Sequence, residues 1–187
     1  IRHSMQVDIR ENERLDDLEI KGLKIIQDPG KFCFGIDAVL LSGFTKVRPG
    51  ENVLDIGTGT GIIPLLLSAK TDAGYIKAIE IQPDMADMAK RSVLYNNLQD
   101  RIEIICNDIK LAGMFIKNAS VDVVVSNPPY IKNSHAIVNP KDSLGIARHE
   151  IACTLDDILS AASKMLKYHG RFYMIHKAHR LTEIVCK

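Results

Sequence analysis

The residues best able to do chemistry begin with a glycine-rich stretch, Asp55–Gly61, in which Gly57 and Gly59 are followed two residues later by a third glycine. Alternating glycines permit positive φ angles and let a ligand approach the backbone where a Cβ atom would collide. Glu80 follows 19 residues after the last of these glycines, and its carboxylate could accept hydrogen bonds from both hydroxyls of a ribose. Asp108 could accept one from the exocyclic amine of an adenine. Together these positions predict a site for an adenosine-containing ligand.

The glycine spacing and the acidic residue before it narrow the choice of ligand. The pattern G-x-G-x-G lacks the lysine of a Walker phosphate loop, and it differs from the G-x-G-x-x-G of dinucleotide-binding folds. Asp55, directly before the turn, would repel a pyrophosphate but suits a ligand that carries a cationic amino group. The pattern therefore favours S-adenosylmethionine over NAD or ATP. The structural alternative is a plain tight turn between a strand and a helix.

A second set of residues, Asn127-Pro128-Pro129-Tyr130, follows a valine-rich run. Because neither proline has an N–H group, this stretch offers acceptors, namely the side-chain carbonyl of Asn127 and the backbone carbonyl of Pro128. Two acceptors at a fixed separation match the two hydrogens of a planar –NH2 group and would free its lone pair to attack a sulfonium methyl. A flipped-out base could stack on the ring of Tyr130. We predict Asn127, Pro128 and Tyr130 as catalytic residues, the alternative being a strand that simply ends in prolines.

Alternating strands and helices must position both sets of residues. The apolar patterns predict strands at Asn52–Ile56, Tyr75–Ile81, Ile102–Cys106, Val121–Ser126 and Arg171–His176, and helices at Ile36–Phe44, Ile62–Ala69, Pro83–Asn96 and Thr154–Tyr168, the last ended by Gly170. Such βαβ units predict an α/β fold with a doubly wound, mainly parallel, Rossmann-like sheet. Ligands bind such sheets at the carboxyl ends of the strands, where both sets lie. An N-terminal hairpin, Leu18–Ile20 with Leu23–Gln27, precedes these elements.

The composition is that of an ordinary globular domain. The 187 residues are 46% hydrophobic and 25% charged with a net charge of +1, and the longest apolar run, Ile62–Leu67, is too short to span a bilayer. Four widely spaced cysteines, without any Cys/His cluster of metal-ligand spacing, predict reduced, mostly buried thiols, a cytoplasmic location and no metal. Residues 160–187 carry six Lys or Arg and one acid, which indicates either an RNA-facing patch or a solvated helix face.

The two sets of residues together resemble the class I S-adenosylmethionine-dependent amino-methyltransferases. Three further stretches resemble, more narrowly, the bacterial tRNA adenine-N6 methyltransferases that act beside the anticodon of a valine tRNA. These stretches are Glu13–Leu18, Phe32–Leu41 and Ala147–Glu150. The likeness extends from about residue 11 to about residue 183.

The resemblance implies a role for each matching residue. Asp55, Gly57 and Gly59 would hold the methionine part of the cofactor, and the adenosine part would contact Glu80 at the ribose, Ile81 at the adenine ring and Asp108 at its amino group. The pocket for the methyl donor would be closed by Phe34, Gly35 and Asp37, unless these only begin a helix. Arg148 and His149 would contact RNA phosphate or order the loop at 131–145.

The sequence therefore predicts methyl transfer from S-adenosylmethionine to the N6 amine of an adenosine in tRNA. Because N-P-P-Y also occurs in enzymes that methylate a glutamine of protein release factors, a glutamine amide is the alternative target. A third reading is a non-catalytic module that binds cofactor or RNA. Residues 1–45 are predicted as an N-terminal extension, with a tag remnant at 1–4, and residues 46–187 as the catalytic domain. The family's sheet has seven strands, so we expect the last two to be missing and the domain to be incomplete at its C-terminus.

Overall fold

The computed structural model describes residues 7–31, 33–128 and 153–186. In chain order the elements are β1 (Arg14–Asp17), β2 (Lys24–Gln27), α1 (Ile36–Phe44), β3 (Asn52–Ile56), α2 (Ile62–Lys70), β4 (Tyr75–Glu80), α3 (Pro83–Tyr95), β5 (Ile102–Cys106), a 3₁₀ helix (Ile109–Met114), β6 (Val121–Ser126), α4 (Leu155–Met165), β7 (Leu166–Met174), a 3₁₀ turn (Ala178–Arg180) and α5 (Leu181–Val185).

A parallel sheet with the strand order β5-β4-β3-β6-β7 lies at the centre of the described residues. The central strands are buried on both faces, and alternate residues therefore enter two different clusters. Val53 packs with residues of α1, α2 and α3, whereas Leu54 packs with the 3₁₀ helix after β5 and with α4. The predicted α/β fold with a mainly parallel sheet is confirmed, and β5 and β6 have the predicted bounds.

The boundary between α4 and β7 differs from the prediction. The helix was expected to run to Tyr168, but it ends at Met165, and β7 begins at the next residue. Val121 pairs with Leu166 while Val123 already pairs with Arg171, so four residues of β7 bulge opposite a single residue of β6. A Cβ atom on Gly170 would lie 2.7 Å from a methyl carbon of Leu166. The glycine is therefore needed for close approach inside a bulge and does not end the helix.

The N-terminal hairpin packs on α3. β1 and β2 are antiparallel, and the first strand lies at 14–17, earlier than the predicted 18–20. The backbone N–H of Ile26 donates to the Ser92 hydroxyl at 2.9 Å, and Glu13 forms an ion pair with Arg91 at 2.6 Å. These contacts fix the hairpin against the helix that follows β4. The division of the chain at residue 45 stays a prediction.

The cysteines are free, but the expectation that they are mostly buried is wrong. Cys106 and Cys186 are exposed, and Cys33 and Cys153 are half-buried. In the ranges that the structure describes, no helix is long and apolar enough to cross a membrane. The same ranges contain no group of three or more His, Cys, Asp or Glu side chains that could hold a metal ion.

Candidate active site

The glycine turn after β3 is held by the neighbouring strand and helix. Gly57, Gly59 and Gly61 all have positive φ angles, from +58° to +89°. The N–H groups of Gly57 and the next residue both donate to the carbonyl of Ile79 in β4, at 2.9 and 3.0 Å. A Cβ atom on Gly61 would lie 3.2 Å from the Cβ of Ala89 in α3, whereas one on Gly57 would meet nothing within 4 Å. The third glycine thus serves packing, and the first leaves space that a ligand could fill.

Glu80 ties the glycine turn to the start of α3. It ends β4 and is only 3% exposed. Its carboxylate accepts the N–H of Gly59 at 2.8 Å on Oε2 and the N–H of Gln82 at 3.0 Å on Oε1. Oε1 also accepts the side-chain amide of Gln82 at 3.3 Å. Oε2 can therefore accept one further hydrogen bond, and a second hydroxyl donor would take the place of the Gln82 side-chain amide on Oε1. The Glu80 carboxylate therefore also holds the glycine turn and the start of α3 in place, a structural role that the sequence did not predict.

Asp108 lies at the end of the next strand, beside Glu80. The N–H of Asn107 donates to the backbone carbonyl of Glu80 at 3.0 Å, which joins the two strand ends. The Asp108 carboxylate caps the following 3₁₀ helix by accepting the N–H of Lys110 at 2.9 Å, and the Lys110 ammonium lies 3.3 Å from it. Ile81, directly after β4, is half-buried. The structure thus brings the predicted cofactor residues together at three neighbouring strand ends.

Asp55 is the most unusual group of the site. Its side chain is completely buried, and within the described residues neither carboxylate oxygen has a hydrogen-bond partner. The hydroxyl of Thr58 is also buried without a partner there. Burial raises the pKa of Asp55 to about 7. The nearby Thr58 hydroxyl opposes this rise, although no hydrogen bond of normal geometry joins the two groups. The negative charge of Glu80 adds to the rise. The site therefore contains polar atoms suited to a cationic ligand group.

Asn127 is brought to the same edge of the sheet. The Ser126 hydroxyl donates to the carbonyl of Ile56 at 2.9 Å, which holds the end of β6 beside the end of β3. Asn127 is half-buried and Pro128 is buried. A small cavity of about 40 Å³ is lined by Phe34, Ala38, Gly57, Thr58, Gly59, Thr60, Ile62, Ile63 and Asn127. The predicted donor turn and the predicted amine-binding residue thus share one cavity.

The remaining predicted site residues lie outside the described residues or at the start of α1. Tyr130, Arg148 and His149 are outside the described residues, as is Phe32. Gly35 is the N-cap of α1 directly after Phe34, and Asp37 lies in the first turn of that helix.

Sequence reasoning missed two buried polar residues near the cavity, Gln27 and Thr58. Gln27 is 1% exposed and accepts the N–H of Phe34 at 3.0 Å. The available signal was a polar residue at the end of an otherwise apolar strand.

A larger groove of about 530 Å³ lies at the opposite edge of the sheet. It is lined by Ser42, Gly43, Thr45, Lys46, Val47, Arg48, Lys70, Thr71, Arg171 and Tyr173. These include the residues before β3 and after α2, at the amino ends of the central strands. Because ligands of parallel sheets bind at the carboxyl ends, the smaller cavity is the better candidate for the active site.

The strand order, the glycine turn after the central strand and the carboxylates that end the next two strands define a class I methyltransferase fold. The sequence model of the family described as "Methyltransferase small domain" matches residues 22–185. The chain belongs to this family.

Curated relatives carry a more specific name. A Phocaeicola vulgatus protein named tRNA1(Val) (adenine(37)-N6)-methyltransferase is 37% identical over 83% of this chain, and a Bacteroides fragilis protein of the same name is 31% identical over 84%. The chain spans 64% and 65% of the lengths of these two relatives. Among solved structures, an Agrobacterium tumefaciens protein described as a predicted O-methyltransferase matches with a TM-score of 0.62 and 21% identity, over 80% of this chain and 65% of that one. This structural likeness supports the fold.

Proposed function

We propose that this chain carries the catalytic centre of an enzyme that transfers a methyl group from S-adenosylmethionine to the N6 amine of an adenosine in tRNA. The observation that carries the proposal is the shared cavity, in which Asn127 from the end of β6 meets the glycine turn after β3. The names of the relatives, which act on a tRNA adenine, support the choice of substrate.

The residues at the strand ends suit the proposed cofactor. Asp55 and Thr58 have buried oxygens without partners in the described residues, as a site for the ammonium of a methionine group requires. Gly57 leaves open space where a Cβ would otherwise project. Glu80 would accept from the ribose hydroxyls, with Ile81 against the adenine ring and Asp108 at its amino group. When bound, the cofactor supplies an electrophilic methyl group on sulfur.

Asn127 and Pro128 would act on the other reactant. Their two carbonyl oxygens would accept the hydrogens of the adenosine amine, which draws the nitrogen towards a tetrahedral geometry and makes its lone pair more available. Because this role is positioning with electrostatic support, it requires no covalent bond to the enzyme. Tyr130 as a stacking surface for the base and Arg148 and His149 as RNA contacts remain predictions, as does the cytoplasmic location.

The direct test uses cofactor with a labelled methyl group and unmodified bulk tRNA, followed by digestion to nucleosides. We expect the label in N6-methyladenosine. A parallel incubation with a protein release factor tests the alternative target, since label in a glutamine there, and none in the nucleoside, would replace the proposal.

Substitution of Asn127 tests its assigned role. Asn127→Ala should lower turnover by about 100-fold, the scale seen when one preorganised catalytic hydrogen-bonding group is removed, and should leave cofactor affinity nearly unchanged. Asn118→Ala, which changes an exposed asparagine in the loop before β6, is the matched control. Full turnover in Asn127→Ala would show that the amine is not bound by this side chain.

A further inference from the structure

We propose that Gln27 is a positioning residue through which the N-terminal hairpin holds one wall of the cavity shared by Phe34 and Asn127. The activity part of this inference rests on the proposed function, whereas its structural part does not. The family match begins at residue 22, so β1, which supplies one of the contacts below, lies outside it.

The side-chain amide of Gln27 is fixed at both of its polar atoms. Gln27 ends β2 and is 1% exposed. Its Nε2 donates to Oδ2 of Asp16 in β1 at 2.5 Å, and its Oε1 accepts the backbone N–H of Phe34 at 3.0 Å. The opposite orientation would set an N–H group against the N–H of Phe34 and an oxygen against a carboxylate. The pairing therefore determines a single orientation of the amide.

Asp28, the residue after Gln27, is held by the segment that precedes β1. Asp28 is 5% exposed, and its carboxylate accepts the N–H of Gly30 at 2.8 Å and the side-chain amide of Asn12 at 2.5 Å. The turn that begins directly after β2 is thus anchored to the residues before β1. Gln27 then holds Phe34 one residue before the N-cap of α1, where Gly35 has no side-chain cap.

The consequence for the cavity follows from the position of Phe34. Its ring lies partly buried against the core, and the residue lines the cavity together with Asn127 and the glycine turn. If the Gln27 contact is lost, the wall formed by Phe34 is no longer fixed relative to Asn127. Misplacement of reacting groups by about 1 Å can cost about 100-fold in rate. Cofactor affinity should fall far less than turnover, because Glu80 and Asp108, which would hold the adenosine part, lie on different strands.

Three variants separate positioning from general stability. Gln27→Met removes both hydrogen bonds at similar volume. Gln27→Glu keeps an acceptor for the Phe34 N–H but sets a second carboxylate against Asp16. The double variant Gln27→Glu/Asp16→Asn restores a donor at position 16 and with it both hydrogen bonds of the residue-27 side chain, while it removes only the exposed ion pair of Asp16 with Arg14. Gln99→Met, at an exposed glutamine, is the matched control.

Two measurements are made on each variant. In the first, kcat should fall at least tenfold in Gln27→Met and in Gln27→Glu, the Kd of the cofactor should stay within threefold, and the double variant should regain most of the wild-type kcat. In the second, hydrogen exchange at the Phe34 amide should be slow in the wild type and the double variant, and at least tenfold faster in Gln27→Met.

Two results would overturn the inference: wild-type kcat together with slow Phe34 exchange in Gln27→Met, or a double variant that recovers neither property. Should Gln27→Met fail to fold, the comparison of Gln27→Glu with the double variant still decides. If the wild type leaves tRNA unlabelled, the proposed function fails, but the exchange measurement still tests whether Gln27 holds Phe34.

Discussion

Replacement of Asp55 by asparagine should change how stability depends on pH. Asp55 is completely buried, and neither of its carboxylate oxygens has a hydrogen-bond partner within the described residues. Burial raises its pKa from the ordinary 3.8 to about 7. Asp55→Asn introduces a neutral side chain of nearly the same shape, which mimics the protonated acid at every pH.

The size and sign of the effect follow from this pKa. Between about pH 4 and pH 7 the unfolded chain has released the Asp55 proton while the native protein retains it, so the stability of the native protein falls as the pH rises. A difference of about three pKa units, at 1.4 kcal/mol each, corresponds to roughly 4 kcal/mol. Relative to the wild type, the variant should therefore gain almost nothing at pH 4 and roughly 4 kcal/mol at pH 8.

Urea denaturation of the ligand-free protein at several pH values measures this difference directly. The free energy of unfolding is obtained for the wild type, for Asp55→Asn and for Asp100→Asn, which removes an exposed carboxylate. Only the Asp55→Asn difference should rise through the window from pH 4 to pH 7. A difference that stays flat, or falls, would refute the argument that this carboxylate is buried without compensation. At pH 8 in the presence of S-adenosylmethionine, the wild type should be more stable than Asp55→Asn, because the ammonium of the ligand would stabilise the charged form of Asp55.

Further changes at the glycine turn and at the start of α4 should act on separate parts of the molecule. Gly61→Ala should destabilise the protein by about 2 kcal/mol or more, because the position has a positive φ and the new methyl would meet Ala89 at 3.2 Å. Gly57→Ala, whose new methyl would meet no atom within 4 Å, should cost less stability but more cofactor affinity. Equal losses in the urea midpoints of the two variants would contradict this. Thr154→Ala should cost about 1 kcal/mol because it removes the capping box of α4. Ser160→Ala on the exposed side of the same helix is its control, and an equal loss there would exclude a capping effect.

Local sequence patterns were sufficient to predict the centre of the fold. β6 is a valine-rich run because it is buried on both faces, and the structure gives it the predicted bounds. The three glycines of the turn after β3 all adopt positive φ. These features depend on residues close together in the chain, where periodicity and backbone conformation leave few alternatives.

Features that depend on distant contacts were not predictable in the same way. Gly170 follows a helical pattern and therefore indicated a helix end, but its conformation is set by pairing with β6, some 50 residues earlier. The role of Gln27 depends on Asp16 and Phe34 together. The sequence separation between Gln27 and either of these residues does not correspond to a known motif. Contacts between residues distant in the chain determine both the conformation at Gly170 and the role of Gln27. A single sequence carries little information on such contacts.

The candidate site adds a further coupling that neither its motifs nor its spacing revealed. Glu80, predicted as a ligand contact, already accepts hydrogen bonds from Gly59 and Gln82, so it also shapes the turn that would hold the methionine part. A substitution such as Glu80→Ala would therefore remove the proposed ribose acceptor and release the glycine turn at once. Loss of cofactor affinity in that variant cannot be attributed to the ribose alone. The oxygens of Asp55 bind no other described group. Its effect on folding can therefore be measured from the pH dependence of stability in the ligand-free protein, separately from its effect on ligand binding.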